Sequence, residues 1–439
     1  MGREFQTRAL PANSLVRLAG QPVLPYARCT ALLLAALSAC AGQSLIDSPP
    51  SGLPDAAEIN AILHRLSDIT GFRIRRQLPF QLITRDQVNA YVKDQIKHSF
   101  RPKDVYAEEL SLKKLGFVPA EFDLRRTTID LLSEQSAAYY DFHQKKLFIS
   151  ELAVAKMRDE ALVHELAHAL ADQNFSIEDF LRKEPADAEQ TLARQAVVEG
   201  QASWLTLEYA ARLTGKTPVE AAAARERFHR ELDPDDQKYP VFSSAPLYLR
   251  ATMLFPYQDG ETFQQAVVLH DGPSAFGLPF KKPPVSTSQV LHPDRYFAAV
   301  APVVPELPKP AAGMKAAVGG VFGEEDMRVL LRQYESVAFA QGLAPGLAGG
   351  SYRIDEDRKA DRKQKVRHTS LIFATVWDTE DSAVAFLNAY QTVLEKKWKN
   401  VDKGEQDTTH ISGKSEDGYY RVERKGKTVV SLEGFSEKL

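Results

Sequence analysis

Apolar residues recur at helical spacing in several stretches of the chain, and the first is Ala56–Thr70. Its apolar positions predict the buried face of an amphipathic helix: Ile59, Ile62, Leu63, Leu66 and Ile69. Two later stretches, Asp159–Gln173 and Pro185–Leu213, are strongly apolar, which is typical of helices buried inside a protein. Further helices are predicted at Thr84–Ile96, Glu121–Ser133, Pro218–Leu232, Ala245–Phe255 and Gly260–Leu269. The last two flank PYQDG, which is predicted as a break between them.

Apolar and polar residues alternate in Ser136–Ser150, where AAYYDF and KLFIS flank the polar segment HQKK. This pattern predicts a β-hairpin. Strand-like runs return late in the chain, at Tyr352–Asp355, Thr369–Trp377, Gly418–Glu423 and Thr428–Glu433, with helices predicted at Glu324–Gln341 and Thr379–Lys397. The late region is therefore expected to be a small α+β unit with an antiparallel sheet.

The clearest change of composition lies at 301–320, APVVPELPKPAAGMKAAVGG, which is rich in proline, alanine and glycine. It predicts a linker between a mostly helical domain at 56–300 and a C-terminal α+β domain at 321–439. The expected fold class is α+β throughout.

The beginning of the chain has the pattern of an export signal. Arginines precede the apolar run TALLLAALSAC, which is too short to span a bilayer as a stable helix. Its end, Leu37 to Cys40, resembles a bacterial lipobox, and this resemblance implies a signal peptide at 1–39 and lipidation of Cys40. A Ser-, Pro- and Gly-rich tether at 40–55 would follow. An ordinary signal peptide, cut after a small residue, is the alternative.

Charge and cysteine content narrow the possible partners. The net charge of −3 becomes −6 without residues 1–39, which carry four arginines and one glutamate, so no nucleic-acid partner is expected. The chain has two cysteines, Cys29 and Cys40, so a mature protein beginning at Cys40 has no intrachain disulfide. The expected location is the periplasmic face of a membrane, and the residue after Cys40, which is not Asp, favours the outer membrane by resemblance to Gram-negative lipoproteins.

The chemistry-bearing motif is HELAH, in the helix predicted at Asp159–Gln173. His164 and His168 are four residues apart, so both imidazoles project from one face and can bind one Zn²⁺. Glu165 can reach a water at that metal and act as general base in peptide hydrolysis. The alternative is that the buried histidines bond to neighbouring carbonyl groups.

A catalytic zinc site needs a third protein ligand. The candidate is Glu199, because an apolar helix is otherwise an unfavourable place for an unpaired carboxylate. The alternative is an ion pair between Glu199 and Arg194. The downstream Gly and His of the metzincin motif are missing after HELAH.

HELAH followed by VVEGQA resembles the gluzincin branch of zinc metallopeptidases, and in particular uncharacterised bacterial proteins of that branch. The resemblance extends to AYYDFHQKKLFIS, FPYQDGETF, STSQVLHPDRY and TVWDTEDSAVAFLNAY. It implies a zincin-like fold, with His164, His168 and Glu199 as zinc ligands and Glu165 as base. Thermolysin-like enzymes carry a histidine-orienting Asp where this chain has Ser203, and Asp172 is a possible substitute.

Two further expectations concern the substrate. In a zincin the strand before the active-site helix lies at the cleft, so Lys146–Ser150 is expected to be a free edge for an extended peptide, although it could be an ordinary strand. Hydrolysis also builds negative charge on the carbonyl oxygen of the substrate, and gluzincins commonly stabilise it with a His or Tyr far downstream of the metal helices. His292 and Tyr296 are the predicted donors, and Tyr257 competes with them. His292 could instead bond within its own turn.

The sequence therefore predicts an exported, lipid-anchored zinc metallopeptidase that acts on peptide or protein substrates. Two alternatives remain open, namely a non-catalytic metal-binding or scaffold lipoprotein and a zinc hydrolase of a non-peptide bond. The complete HExxH argues against the scaffold, because metal binding alone does not need Glu165.

Overall fold

The structure is a computed structural model. It describes residues 54–84, 86, 87, 90, 101–135, 138–150, 158–182, 187–217, 220, 239–358 and 368–437. The predicted signal peptide, Cys40 and the tether up to residue 53 lie outside these ranges, as do most of the helix predicted at Thr84–Ile96 and of that predicted at Pro218–Leu232.

The first part of the fold is mostly helical. Its first helices along the chain are α1 (Ala56–Thr70), α2 (Pro102–Leu115), α3 (Leu124–Gln135), α4 (Arg158–Phe175), α5 (Ile177–Arg182) and α6 (Ala188–Thr214). The first helix matches its prediction, because both ends are fixed locally. Asp55 caps its N-terminus by accepting from the Glu58 N–H, and Gly71 ends it in the left-handed conformation, at φ 73°.

A three-stranded sheet lies beside α4. The predicted hairpin is confirmed as β2 (Ala138–Asp141) and β3 (Lys146–Ser150), which pair antiparallel. A third strand, β1 (Phe80–Ile83), pairs parallel to β3 on its other side. The strand order is β1-β3-β2, so the expectation of a free edge at Lys146–Ser150 is wrong. The short strand β1 gave no clear periodic signal, and it occupies that edge of β3.

The helices continue with α7 (Pro240–Ser244), α8 (Leu247–Asp271), α9 (Leu278–Lys281), α10 (Thr287–Leu291) and α11 (Pro293–Phe297). The break predicted at PYQDG is wrong, because α8 runs without interruption through Pro256. Gly260 serves the packing of α8 against α6. A Cβ at Gly200 would lie 2.1 Å from the Gly260 carbonyl carbon, and one at Gly260 would lie 2.4 Å from the Ala196 oxygen. Only glycine allows the two backbones to come this close.

The C-terminal part is a seven-stranded antiparallel sheet in the order β4-β5-β6-β10-β9-β8-β7. The strands are β4 (Met314–Phe322), β5 (Leu347–Asp357), β6 (Thr369–Trp377), β7 (Val401–Gln406), β8 (His410–Ser415), β9 (Gly418–Lys425) and β10 (Thr428–Phe435). Its helices are α12 (Glu324–Tyr334), α13 (Val337–Leu343) and α14 (Glu380–Lys397). The strand β4 begins inside the stretch 301–320 predicted as a linker. The small residues in the second half of the predicted linker therefore belong to an edge strand and not to a flexible connection.

The two halves of the fold share a hydrophobic core. One cluster of buried side chains joins Leu112 and Phe117, from the first half, to Phe322 and Phe373 of the sheet, and the rings of Phe117 and Phe322 stack at 6.1 Å. A second cluster surrounds α4 and α6. The expected α+β class is confirmed. Within the described ranges, no helix combines the length and apolar character needed to cross a bilayer.

Candidate metal centre

Two packed helices bring three metal-ligating side chains to one point. His164 and His168 lie on α4, and Glu199 lies on α6. The Nε2 atom of His164 is 3.1 Å from the Nε2 of His168 and 3.1 Å from a carboxylate oxygen of Glu199, and the third side of this triangle is 3.3 Å. All three residues are buried, with Glu199 only 1% exposed. Packing of the two helices thus joins residues 35 positions apart in the sequence.

The triangle fits a zinc ion of ordinary coordination. Zinc binds imidazole nitrogen and carboxylate oxygen at about 2.0–2.2 Å, so the ligand atoms of a tetrahedral site lie roughly 3.3–3.5 Å apart. One observed separation, 3.3 Å, falls at the lower end of that range, and the other two, at 3.1 Å, lie just below it. Among the described residues, this is the group of His, Cys and acidic side chains able to hold a metal ion.

The side chains of the triangle interact strongly with one another, and each changes the pKa of its neighbour. Burial by itself would raise the pKa of Glu199, but the charges and hydrogen bonds of His168 and His164 outweigh burial and lower this pKa. Conversely, burial would lower the pKa of His168, and the carboxylates of Glu199, Glu165 and Asp172 together raise it. Glu199 is paired with the two histidines, not with Arg194 as the alternative had it.

Glu165 is held beside the metal ligands by the edge of the small sheet. Its side chain is 3% exposed, and one carboxylate oxygen accepts the backbone N–H of Tyr140 at 2.6 Å. Tyr140 lies on β2, the edge strand next to α4. Because a carboxylate is a strong hydrogen-bond acceptor, this contact fixes the orientation of the Glu165 side chain.

Asp172 stabilises the same edge strand but does not orient a histidine. One of its carboxylate oxygens accepts the Tyr140 hydroxyl at 2.9 Å. The other accepts Lys145 and the backbone N–H of Ile177, each at 2.9 Å. Asp172 therefore does not take the histidine-orienting role that an Asp at the position of Ser203 has in thermolysin-like enzymes. Ser203 is buried, and its hydroxyl has no hydrogen-bond partner among the described residues.

Aromatic rings line both sides of the histidine pair. Phe142 meets His168 edge-on, with 5.8 Å between the ring centroids, and Tyr257 stacks on His164 at 5.8 Å with an interplanar angle of 19°. Tyr257 reaches His164 because α8 continues through Pro256 and packs on α6. Of the three predicted oxyanion donors, Tyr257 is the one that contacts a metal-ligand side chain in this structure.

The other two predicted donors make their contacts elsewhere. A ring nitrogen of His292 is 2.7 Å from a carboxylate oxygen of Glu324, at the start of α12. The hydroxyl of Tyr296 donates to the backbone carbonyl of Lys282 at 2.8 Å, and its ring packs on Phe263. The structure does not bring either residue together with the metal ligands. The stretch STSQVLHPDRY instead connects the helical half to the C-terminal half.

Sequence reasoning did not single out Tyr140 or Phe142. Both belong to AYYDF, which was predicted only as one strand of a β-hairpin. Alternation in a strand says which side chains share a face, but it cannot show that a backbone N–H is aimed at Glu165. A strand next to the HExxH helix is the only signal that could have drawn attention to these residues.

A family model matches the C-terminal part of the chain. Residues 314–439 match a family described as a domain of unknown function (DUF8575), and this range begins where β4 begins. The match covers the C-terminal sheet and not the metal centre. No curated protein and no solved structure matches the chain.

Proposed function

We propose that this chain is a zinc-dependent metallopeptidase of the gluzincin type with a zincin-like fold. The proposal depends on one observation: His164, His168 and Glu199 converge on a single buried point, with Glu165 beside them. A purely structural histidine pair would need no buried glutamate on a second helix. The arrangement of a small sheet, the HExxH helix and a helix bearing a third ligand supports the same conclusion.

Each side chain has a distinct role in the proposed reaction. A zinc ion held by His164, His168 and Glu199 would supply a Lewis acid for the scissile carbonyl and lower the pKa of a water. Glu165 accepts the proton of the attacking water, and the Tyr140 N–H holds its carboxylate in place for this role. Burial and the Asp172 charge both raise the pKa of the Tyr140 hydroxyl, so this residue remains a hydrogen-bond donor and anchors the strand.

Tyr257 is the proposed donor to the developing oxyanion. Peptide hydrolysis creates negative charge on the former carbonyl oxygen, and a hydroxyl placed next to the metal stabilises that charge. The ring of Tyr257 is stacked on His164, which places the residue at the metal centre. His292 and Tyr296 use their polar groups in other contacts and are less suited to this role.

The proposed setting is the periplasmic face of the outer membrane, with the chain attached through a lipid on Cys40. The support is the sequence alone, since residues 1–53 lie outside the described ranges. The proposed substrate is accordingly a peptide or protein in the periplasm.

The deciding experiment compares wild type with Glu165→Gln and Glu199→Ala. Glu165→Gln should keep about one zinc per chain and lose cleavage of a peptide library, because an amide cannot act as a base. Glu199→Ala should lose zinc, because one of three ligands is removed. Glu335→Gln changes an exposed carboxylate in the C-terminal half and should leave both properties unchanged. Equal cleavage by wild type and Glu165→Gln would refute the mechanism. Zinc binding without cleavage by any variant would favour a metal-binding lipoprotein.

A further inference from the structure

The segment following α1 presents a row of exposed arginines at one end of the HExxH helix. Arg73, Arg75 and Arg76 are exposed, whereas Phe72 is buried and Ile74 packs partly into the core around α4. From Phe72 to Arg75 the side chains alternate, with the two apolar ones inward and the two arginines outward, and Arg76 continues the exposed row. The row is therefore fixed to the protein through its apolar side chains.

Two side chains of α4 hold the backbone of this row in place. The carbonyl oxygen of the Gln173 side chain accepts the N–H groups of Arg75 and Arg76, at 2.8 and 3.1 Å. Asn174 accepts the Arg73 N–H at 3.3 Å and donates to the Arg73 carbonyl at 3.1 Å. The backbone of a solvent-exposed loop can bond to water instead, so it does not need these side-chain partners. They fix the arginines at a defined place relative to the metal ligands on the same helix.

The positive charge of the row is largely uncompensated. In the ranges that the structure describes, no carboxylate pairs with Arg73 or Arg75. Arg76 lies 3.6 Å from Asp172, and Lys145 shares that carboxylate at 2.9 Å. Asp172 is thus one negative charge between two positive ones. Nearby Glu178 is already engaged by Arg182 and His143.

The same contacts join the row to the candidate centre. Asp172 accepts the Tyr140 hydroxyl, and the Tyr140 N–H holds Glu165. Gln173 lies five residues beyond His168, which is about 7.5 Å along the helix axis. An extended peptide advances about 3.3 Å per residue, so the arginines can reach side chains roughly two to four residues from the scissile bond.

We propose that Arg73, Arg75 and Arg76, together with Lys145, form a subsite that selects peptides with acidic residues about two to four positions from the cleaved bond. This inference rests on the proposed peptidase function for its position in the reaction. Binding of the acidic segment does not itself require turnover. An anionic membrane surface is the other chemistry that an arginine row could recognise. A peptide is favoured because the row is linked through Asp172 and Tyr140 to Glu165.

The test uses zinc-loaded Glu165→Gln protein, so that binding is measured without cleavage. The probes are two pairs of fluorescein-labelled extended peptides. Within a pair, one peptide carries glutamates and the other carries glutamines at the same positions. These positions lie on one side of the central bond in the first pair and on the other side in the second pair. Fluorescence anisotropy should show about tenfold tighter binding of one glutamate peptide, with an affinity that falls as salt is raised. Adding Arg73→Gln and Arg75→Gln should remove most of this preference, because both charges are lost. Neither side chain has an ion-pair partner to lose, so folding should be retained.

The matched control replaces Lys399 and Lys425, two exposed lysines of the C-terminal half, with glutamine. It has the same change in net charge and should keep the acidic preference. Equal affinity for glutamate and glutamine peptides would overturn the proposal. A second result would also overturn it. If the Arg73 and Arg75 variant lost binding to phosphatidylglycerol vesicles while its peptide affinities stayed unchanged, the row would be assigned to a membrane. An acidic preference without cleavage by the wild type would leave the subsite standing and refute the peptidase function.

Discussion

Substitution of Gly200 by alanine tests whether the close crossing of α6 and α8 maintains the metal centre. Gly200 directly follows the ligand Glu199, and its Cα faces the backbone of Gly260. An added methyl group would lie 2.1 Å from the Gly260 carbonyl carbon and oxygen. Both atoms belong to the backbone of a helix, so no side-chain rotation can relieve the overlap.

The expected size of the effect follows from this distance. Ordinary contact begins at 3.4 Å, so the helices must separate by about 1.3 Å at the crossing. Metal-ligand distances tolerate changes of only about 0.2 Å. The oxygen of Glu199 would therefore be displaced from the histidines of α4, and zinc affinity should fall. Overpacking of a well-packed core costs about 1–3 kcal/mol, and a rigid backbone contact belongs at the upper end, near 3 kcal/mol.

The assay combines zinc stoichiometry with urea unfolding of wild type, Gly200→Ala and Gly342→Ala. Gly342 lies in α13, and a Cβ there meets nothing within 4 Å. Its replacement should leave zinc unchanged and raise the free energy of unfolding by up to about 1 kcal/mol, because alanine favours a helix. A Gly200→Ala protein with full zinc and an unfolding free energy within about 0.5 kcal/mol of wild type would refute this reasoning.

Three further predictions concern other parts of the molecule. Burial raises the pKa of Asp326 to about 6, so its contribution to stability is complete below the unfolded value of 3.8 and is lost as pH rises through about 6. In Asp326→Asn, the free energy of unfolding should fall less steeply between these pH values than in wild type. An unchanged slope would contradict the raised pKa of Asp326. Tyr257→Phe should lower kcat by roughly 10²–10³ with zinc retained, and a near-normal kcat would exclude this hydroxyl from the oxyanion role. Cys40→Ser should leave the protein unprocessed and outside the detergent phase, whereas normal processing would indicate an ordinary signal peptide.

Local features of the sequence were enough to predict the HExxH helix and to name the three side chains that converge in the structure. His164 and His168 share a helix face because their spacing matches one helical turn, whatever packs around them. The helix Ala56–Thr70 was equally predictable, since Asp55 and Gly71 mark its ends by local hydrogen bonding and backbone conformation. For Glu199, the argument from an unfavourable buried charge was enough to name the residue, and the structure places it with the two histidines.

Only the tertiary structure decided how distant segments meet. The pairing of Phe80–Ile83 with Lys146–Ser150 closed a strand edge that the local pattern left open. Helix α8 runs through Pro256, because packing against α6 outweighs the local cost of a proline. His292 was predicted at the metal and lies against Glu324 instead, since a loop histidine takes the nearest favourable charge that the fold supplies. Periodicity defines the faces of each element, but which faces meet depends on contacts between residues far apart in the chain, and no local pattern records them.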